Sequence, residues 1–325
     1  MNQQRYMEIR NSLDLRHDPQ FLLRYGLQTI VLVAACVYIP LEFSNSPVRF
    51  VAIPLISLLM LRSFAFMHEA VHGLISKNRR LDNFLGVVSG TLCLLSYESW
   101  KQAHIEHHRW SGNLDKDPVM GMVKTFPNFP KPLRDILTLG WKCWVPTLSF
   151  LQHSVFWSIT LKHLMKKQKT FTQILSVVLP VAFWVCLISL TPSEVILSLL
   201  LPAVILYLIV TEVINAPHHL NLPYFHGETK IPVWDQFKTA RTCIYPSWMA
   251  RFLVLNFNYH IEHHMYPYVP WYHLDKIHKA LRPELKEDYN LDPMFSWIIK
   301  NRTKDLAAVW GSSQVSKCKD EAHAA

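Results

Sequence analysis

Four apolar runs are the feature of this 325-residue chain that most limits what it can fold into. A helix needs about 20 mostly apolar residues to cross the hydrocarbon core of a bilayer, and each run reaches or approaches that length. The predicted spans are residues 26–43, 48–66, 171–190 and 195–214. Backbone groups find no water inside a bilayer, so spanning segments of this kind must be helices. The sequence therefore predicts an all-α integral membrane protein.

Short turns join the four spans into two hairpins. The sequence SNSP separates the first two spans, and TPSE separates the last two. Prolines fall inside the runs, which neighbouring helices in a membrane bundle can tolerate. Two further apolar stretches, residues 84–95 and 145–161, are too short or too polar to cross. We expect both of them to be interfacial or re-entrant helices.

The distribution of charge predicts the orientation of the hairpins. The net charge is +9, and Lys and Arg gather in the N-terminal segment, in residues 77–169 and after residue 215. Because basic loops stay in the cytoplasm, both termini and the large connection are expected there, in a bacterial inner membrane or the endoplasmic reticulum. No basic nucleic-acid-binding module is recognisable, so no nucleic-acid partner is expected. Residues 1–311 are predicted to form one domain, and residues 312–325 a disordered tail.

Three histidine clusters have the spacing of metal ligands. One HxxxH motif and two HxxHH motifs contain eight histidines: His68 and His72; His104, His107 and His108; His260, His263 and His264. Positions three and four apart share one face of a helix, so each cluster can aim its imidazoles at one point. The predicted topology puts all three clusters near the cytoplasmic interface. We therefore expect them to form a single site.

A fourth element, NAPHHLNLP at residues 215–223, lies at the cytoplasmic end of the last predicted span. It offers His218 and His219, with Asn215 one turn before His219. A zinc ion is satisfied by three or four protein ligands, so eight or nine imidazoles imply two metal ions. Imidazole suits iron, copper, zinc and nickel, so the ligand type alone does not choose the metal. Several scattered histidines are interpreted as solvated or core residues: His17, His153, His163, His226, His278 and His323.

The order of these motifs and their placement against two hairpins resemble the histidine boxes of the membrane fatty acid desaturase family. The segment HIEHHRWSGNLDKDP, residues 104–118, is similar to the second box and the acidic loop that follows it. The segment HIEHHMYPYVPWYHLDKIHKAL, residues 260–281, is similar to the last box and its continuation. The resemblance covers about residues 68–281.

The resemblance implies a four-span helical fold with a cytoplasmic helical cap that holds two non-haem irons. The eight box histidines correspond to ligands, and His219 corresponds to a further ligand, although His218 could replace it. Asn215 would reach iron through water. Glu69, Glu106 and Glu262 are interpreted as hydrogen-bond acceptors for the second ring nitrogen of ligating histidines. The alternative for HEAVH, a zinc peptidase with Glu69 as base, would leave both HxxHH boxes unexplained.

The implied activity is the dioxygen-dependent introduction of a double bond into a fatty acyl chain. Hydroxylation or ketone formation on an alkyl chain or carotenoid is the alternative, because relatives with the same boxes carry out those reactions. No flavin or nicotinamide fingerprint is present in the sequence. The resemblance therefore implies an external electron donor, such as a ferredoxin or a b-type cytochrome, in addition to a lipid or fatty acyl substrate.

Overall fold

The computed structural model describes residues 1–76, 78–165, 170–228 and 230–311, so the predicted tail, residues 312–325, lies outside the described residues. The chain is mostly helical. The helices are α1 Gln3–Ser12, α2 Pro19–Glu42, α3 Ala52–His72, α4 Arg79–Leu92, α5 Tyr97–Trp110, α6 Gly121–Thr125, α7 Lys131–Lys142, α8 Thr147–Leu164, α9 Phe171–Leu190, α10 Ser193–Val195, α11 Leu201–His219, α12 Ser247–Leu253, α13 His260–Met265, α14 Leu274–Leu285, α15 Met294–Arg302 and α16 Leu306–Gly311. Two short strands, β1 Thr242–Ile244 and β2 Leu291–Pro293, pair in parallel.

Four helices of the described chain are long and apolar enough to cross a membrane: Pro19–Glu42, Pro47–His72, Phe171–Leu190 and Ser193–His219. The second of these long helices consists of a 3₁₀ turn followed by α3. The fourth consists of α10, a π turn and α11 in succession. They confirm the four predicted spans, and the protein is an integral membrane protein. The first, second and fourth helices run beyond the predicted limits, because polar residues in a terminal turn continue a helix without adding hydropathy.

The two hairpins pack side by side with their turns at the same end. Helix α3 packs against α2, α4 and α11, and α4 also packs against α9. At the turns, the guanidinium of Arg49 lies 3.2 Å from the carboxylate of Glu194 and donates to Ser198 Oγ at 2.8 Å. Since the turns meet, the opposite ends of α3 and α11 also meet. Those ends carry the first and the fourth histidine elements.

Helix α3 ends immediately after its second histidine. Gly73 has φ +74°, a left-handed conformation that suits glycine, and the N–H of Leu74 returns to the carbonyl of Glu69 at 3.2 Å. The guanidinium of Arg79 donates to the carbonyls of Ala70 and Val71. These bonds satisfy the terminal carbonyls, so His68 and His72 sit on a well-anchored final turn.

A buried ion pair joins α15 to α11 near the end of the fourth span. Glu212 and Arg302 lie 2.7 Å apart, with side chains 3% and 2% exposed. The Glu212 carboxylate also accepts from the backbone N–H groups of Leu148 and Ser149, which open α8. Arg302 donates to the carbonyl of Trp141. Helices α7, α8, α11 and α15 are thereby joined around one buried pair of opposite charges.

Candidate metal centre

Nine histidines converge into two adjoining groups where α3, α5, α11 and α13 meet. Within each group the available ligand atoms lie within 4.8 Å of one another. The five-histidine group contains His68, His72, His104, His108 and His263. The four-histidine group contains His107, His219, His260 and His264. Each of the nine histidines predicted as ligands therefore lies in one of two clusters able to hold a metal ion.

Helical register decides which histidine joins which group. In α5, His104 and His108, four residues apart, enter the five-histidine group, while His107 enters the four-histidine group. In α13 the assignment is reversed. His260 and His264 enter the four-histidine group, and His263 enters the five-histidine group. Each HxxHH box thus contributes to both groups, because positions i and i+4 point in nearly the same direction and position i+3 is rotated away.

The two groups touch through their rings. His108 of the five-histidine group stacks on His264 of the four-histidine group, with centroids 4.4 Å apart and planes at 24°. His104 and His107 have centroids 5.9 Å apart. Two ions held by these groups would therefore be close neighbours, an arrangement typical of two-metal sites.

Hydrogen bonds fix which ring nitrogen carries the proton in three members of the four-histidine group. The Nδ1–H groups of three of its members donate to oxygen acceptors: His107 to Asp117 at 2.8 Å, His219 to the Thr239 carbonyl at 2.9 Å, and His264 to Gln236 Oε1 at 3.1 Å. A neutral imidazole carries one proton, so the Nε2 atom of each ring presents a lone pair. These partners orient the rings as hydrogen-bonded acceptors orient metal-bound histidines.

The Nε2 atoms of the four-histidine group form a closed ring. Successive separations around His107, His219, His260 and His264 are 3.1, 2.8, 3.2 and 3.2 Å. Hydrogen bonds cannot complete such a ring when three of the atoms lack a proton. Two ligands at right angles on one ion, each at about 2.1 Å, would be about 3.0 Å apart. The spacing and the lone pairs therefore fit a shared cation.

The five-histidine group has the same construction. The Nε2 atoms of His72 and His104, of His104 and His108, and of His108 and His263 each lie 3.0 Å apart. His68 bonds through Nδ1 to Glu69 Oε1 at 3.2 Å, and its buried Nε2 has no hydrogen-bond partner among the described residues. A buried nitrogen left without a partner is costly unless a ligand satisfies it. This group can therefore also hold an ion.

Burial keeps five of these imidazoles uncharged. Removal from water, together with the neighbouring imidazoles, holds the pKa of the histidines outside the spanning helices well below the usual range: His104, His108, His260, His263 and His264. At neutral pH these rings are neutral. A neutral imidazole is the form that binds a metal ion.

At the end of the fourth span, the structure separates the two adjacent histidines. His219 directs Nε2 into the four-histidine group, whereas His218 lies outside both groups. The His218 ring stacks on His260, with centroids 4.2 Å apart and planes at 10°, and both of its nitrogens are buried without a partner among the described residues. Asn215, one turn before His219, donates its amide N–H to the carbonyl of Thr211 at 2.8 Å.

The three glutamates predicted as acceptors have different surroundings. Glu69 accepts from His68, as expected, and its second oxygen accepts from the backbone N–H of Trp271 at 3.1 Å. Glu106 lies at the surface, 42% exposed, and accepts from Arg109. It therefore does not accept from a ligating histidine, contrary to the expectation. Glu262 is fully buried and accepts from Thr242 at 2.6 Å, from the neighbouring Tyr289, and from His278 at 2.8 Å. It therefore ties α13 to β1, α14 and Tyr289, and it does not orient a ring of either group.

Sequence reasoning missed the acceptors Asp117, Gln236 and Thr239. Asp117 had a partial signal, since it lies in the acidic loop after the second box and precedes a proline. Its buried carboxylate also accepts from the N–H groups of Gly112 and Val119, both at 2.9 Å, so the loop folds around it. Gln236 lies in a 3₁₀ segment and Thr239 directly follows it; neither belongs to a motif, and only the fold brings them to the histidines.

Aromatic rings close the centre on the side of the spanning helices. Phe257 meets His68 with centroids 5.0 Å apart and His260 with centroids 5.1 Å apart. Trp100 stacks on His104 at 4.5 Å, and Phe64 contacts both aromatic residues. The result is an apolar surface directly beside the histidines. Such a surface excludes water from this side of the centre.

The zinc-peptidase alternative does not match this geometry. Both carboxylate oxygens of Glu69 accept hydrogen bonds, from His68 and Trp271, so the side chain is not poised as a free base for water. His68 and His72 belong to a group of five imidazoles, one more than a closed zinc site uses. A two-ion centre fits the donor set better than a single catalytic zinc.

Fold and centre together define a class: helical membrane proteins with nine histidines arranged for two metal ions at one end of the spans. The sequence profile of the family described as fatty acid desaturase matches residues 44–295. This match covers more than half of the chain. The protein belongs to the fatty acid desaturase family.

Individual relatives are distant. A protein named probable fatty acid desaturase DES1 from Sorghum bicolor is 26% identical, over 70% of this chain and 61% of the relative. A β-carotene 4-ketolase from Protosiphon botryoides is 25% identical, over 73% and 53%. An sn-1 acyl-lipid omega-3 desaturase (ferredoxin) from Synechocystis sp. is 22% identical, over 72% and 67%. The chain spans about three-fifths of the length of the first of these relatives.

Proposed function

We propose that this protein is a dioxygen-dependent membrane di-iron oxidase that introduces a double bond into a fatty acyl chain. The observation that carries the proposal is the convergence of nine buried or half-buried imidazoles into two touching groups at one end of the spanning helices. Membership of the fatty acid desaturase family supports this reading. Two of the three relatives described above are named as desaturases, one of them acting on acyl lipids.

The donor set fits two irons, one for each group. The five-histidine group would hold one ion and the four-histidine group the other, with every ligand an imidazole nitrogen. When bound, the irons supply the oxidising power, with dioxygen, to break an unactivated C–H bond that no side chain could oxidise. The protein contributes ligands of fixed orientation and an apolar environment.

Each contribution of the protein has identifiable residues. Glu69, Asp117, Gln236 and the Thr239 carbonyl hold Nδ1 protons, so the opposite nitrogens stay available as ligands. The surface formed by Phe64, Trp100 and Phe257 lets methylene groups approach the centre without water. Electrons would come from an external donor. A ferredoxin is the first candidate, since ferredoxin is named for the Synechocystis relative.

A hydroxylase or ketolase remains the second candidate. The β-carotene ketolase relative is nearly as similar to this chain as the Sorghum desaturase, at 25% against 26% identity. The same histidine groups would serve either reaction. The difference lies in how the substrate carbon is held, and therefore in the product.

Expression in a host that lacks the activity, followed by mass spectrometry of its lipids, tests the proposal. We expect a new acyl species that has lost two hydrogens and carries no added oxygen. The purified protein should contain about two irons per chain and little zinc. The matched control is His263→Ala, which should insert in the membrane but give no product. A product with added oxygen would favour the second candidate, and full activity with zinc alone would refute the di-iron proposal.

We further propose that both termini and the histidine end of the bundle face the cytoplasm, because the basic segments lie at that end. Cysteines added at Asn45 and Ser193, in a background with Cys36, Cys143, Cys186 and Cys318 changed to serine and only the buried Cys93 and Cys243 kept, should react with a membrane-impermeant maleimide added outside. Cysteines at Asn128 and Lys286 should react only after permeabilisation. The background protein without an added cysteine is the blank. Outside labelling at Lys286 would contradict the orientation.

A further inference from the structure

We propose that a cavity at the cytoplasmic end of the first span binds the phosphate-bearing headgroup of the acyl substrate; this inference rests on the proposed function. The cavity has a volume of about 370 Å³ and is bounded by the start of α2, by the residues that end and follow α12, and by Trp271 and Tyr272. Its size is within the range of small-molecule sites. It contains no residue of either histidine group.

The cavity is lined by cationic and polar groups at the level where lipid headgroups lie. Arg24, Gln28 and Arg251 supply the polar lining, and Tyr25 and Tyr272 supply aromatic rings. Arg24 lies two residues before the first apolar run, which begins at residue 26. Basic and aromatic residues at this depth are typical of the membrane–water interface. An anionic headgroup is the ligand that such a lining would attract.

A buried cation behind the wall strengthens the positive potential. Arg62 is 1% exposed and donates to Gln28 Oε1 at 2.9 Å and to the carbonyl of Phe252, two residues of the cavity lining. Among the described residues, no carboxylate forms an ion pair with Arg62. Guanidinium groups match phosphate oxygens geometrically, so a phosphate beside this wall would be stabilised by nearby positive charge.

The acidic residues near the cavity leave its arginines available. Arg24 lies 3.7 Å from Asp18, and Arg251 lies 3.5 Å from Asp275. Both pairs are long, and both arginine side chains are more than half exposed. Exposed pairs of this kind contribute little to stability. A phosphate could therefore replace these weak contacts, and three arginines outnumber two aspartates.

The wall of the cavity continues directly into the metal centre. Leu255 and Asn256 line the cavity with φ +50° and +56°, two successive left-handed residues that are not glycine. Such conformations are costly and cluster at functional sites. The next residue, Phe257, contacts His68 and His260. An acyl chain attached to a headgroup in the cavity would therefore leave it beside the apolar surface next to the histidines.

Trp271 forms a second connection between the two sites. Its backbone N–H donates to Glu69 Oε2 at 3.1 Å, and its carbonyl accepts from Asn256 at 3.0 Å. Glu69 in turn accepts from His68. Trp271 in the cavity wall is thus bonded through its carbonyl to Asn256 and through its N–H to Glu69, which orients His68. This arrangement would hold the headgroup at a fixed position relative to the centre.

Binding to the purified iron-loaded protein in neutral detergent tests the inference, with native mass spectrometry as the readout. The probes are dioleoylphosphatidylglycerol, oleoyl-CoA, inorganic phosphate and the uncharged dioleoylglycerol. We expect one of the two acylated phosphates to bind, and the double variant Arg24→Gln/Arg251→Gln to lose at least about tenfold in affinity. Iron content should be unchanged. The control is Arg16→Gln, an exposed arginine that also faces an aspartate, at 2.8 Å, but lies outside the cavity; this variant should bind normally.

The probes identify the source of the phosphate. Preference for the phospholipid assigns an acyl-lipid substrate, and preference for oleoyl-CoA assigns a thioester; both support the cavity. Equal binding of dioleoylglycerol, equal binding of inorganic phosphate, or normal binding by the double variant would overturn it. Arginine-dependent binding in a protein that gives no oxidised lipid would refute the proposed function alone. Product formation with arginine-independent binding would refute the cavity alone.

Discussion

Replacing His219 with alanine is expected to abolish turnover and to lower the iron content well below that of the unchanged protein. Its Nε2 lies 3.1 Å from that of His107 and 2.8 Å from that of His260, so its removal opens the four-histidine group. Loss of the hydrogen-bond partner of a metal ligand typically lowers activity by about 10- to 100-fold. Loss of the ligand itself should lower activity by more than that. Iron analysis and product formation in the same preparation measure both effects.

The neighbouring His218 provides the matched control. His218→Phe keeps an aromatic ring stacked on His260 but removes both nitrogens, so iron and most of the activity should remain. The larger ring should lower the free energy of unfolding by about 1–3 kcal/mol. If His218→Phe loses iron while His219→Ala keeps it, the ligand assignment is off by one residue. If both variants keep full iron and activity, the fourth element does not belong to the centre.

Replacing Asp117 with asparagine is expected to reduce activity by about 10- to 100-fold, with partial loss of iron. The carboxylate accepts from His107 Nδ1 through both oxygens, at 2.8 and 3.0 Å, and also from two backbone N–H groups of its own loop. Asparagine keeps one oxygen but loses the charge, and its NH₂ group cannot accept from the N–H of Gly112. His107 would then be held less firmly in the position that directs Nε2 into the four-histidine group.

Asp115→Asn is the control for this loop. Asp115 lies two residues earlier, is 39% exposed, and pairs with Lys124 at the surface. Its replacement should leave iron content and activity within about twofold of the unchanged protein, because exposed ion pairs contribute little. Equal losses in both variants would show that the loop tolerates no change of charge. Normal activity in Asp117→Asn would show that the backbone of α5 alone positions His107.

The spans and the ligand spacing could be predicted because each depends on local sequence. Hydropathy over about 20 residues identifies a spanning helix, and helical periodicity puts positions i, i+3 and i+4 on one face. The true ends of the helices could not be predicted in this way. Helix α2 begins at Pro19 because Asp18 caps it, and α3 continues to His72 because the last turn is packed inside the protein.

Identical pentapeptides show where local sequence stops being informative. HIEHH occurs at residues 104–108 and 260–264, yet Ile105 is 40% exposed and Ile261 is fully buried. Glu106 lies on the solvent side of the fourteen-residue helix α5, whereas Glu262 lies inside the cap on the six-residue helix α13. The same glutamate therefore makes a surface ion pair in one copy and a buried anchor in the other. Only the packing of the cap distinguishes them.

The acceptors for the ring nitrogens depend on tertiary structure even more strongly. Gln236 bonds to His264, 28 positions away, and Thr239 bonds to His219, 20 positions away. No spacing rule connects such distant residues in a loop. Periodicity separates position i+3 from positions i and i+4 in each HxxHH box, but it does not report which of the two groups each set joins. That choice depends on how α5 and α13 are placed relative to each other in the fold.

That crossed division would make two bound ions interdependent. Each HxxHH helix offers two nitrogens to one group and a third to the other, so neither group is complete until both helices have docked. An ion entering first would order α5 and α13 together, and so prepare the remaining sphere for its occupant. Loss of one ion would correspondingly loosen the helices that hold the other. The centre should therefore fill and empty as a cooperative unit, with the half-loaded protein a sparsely populated state.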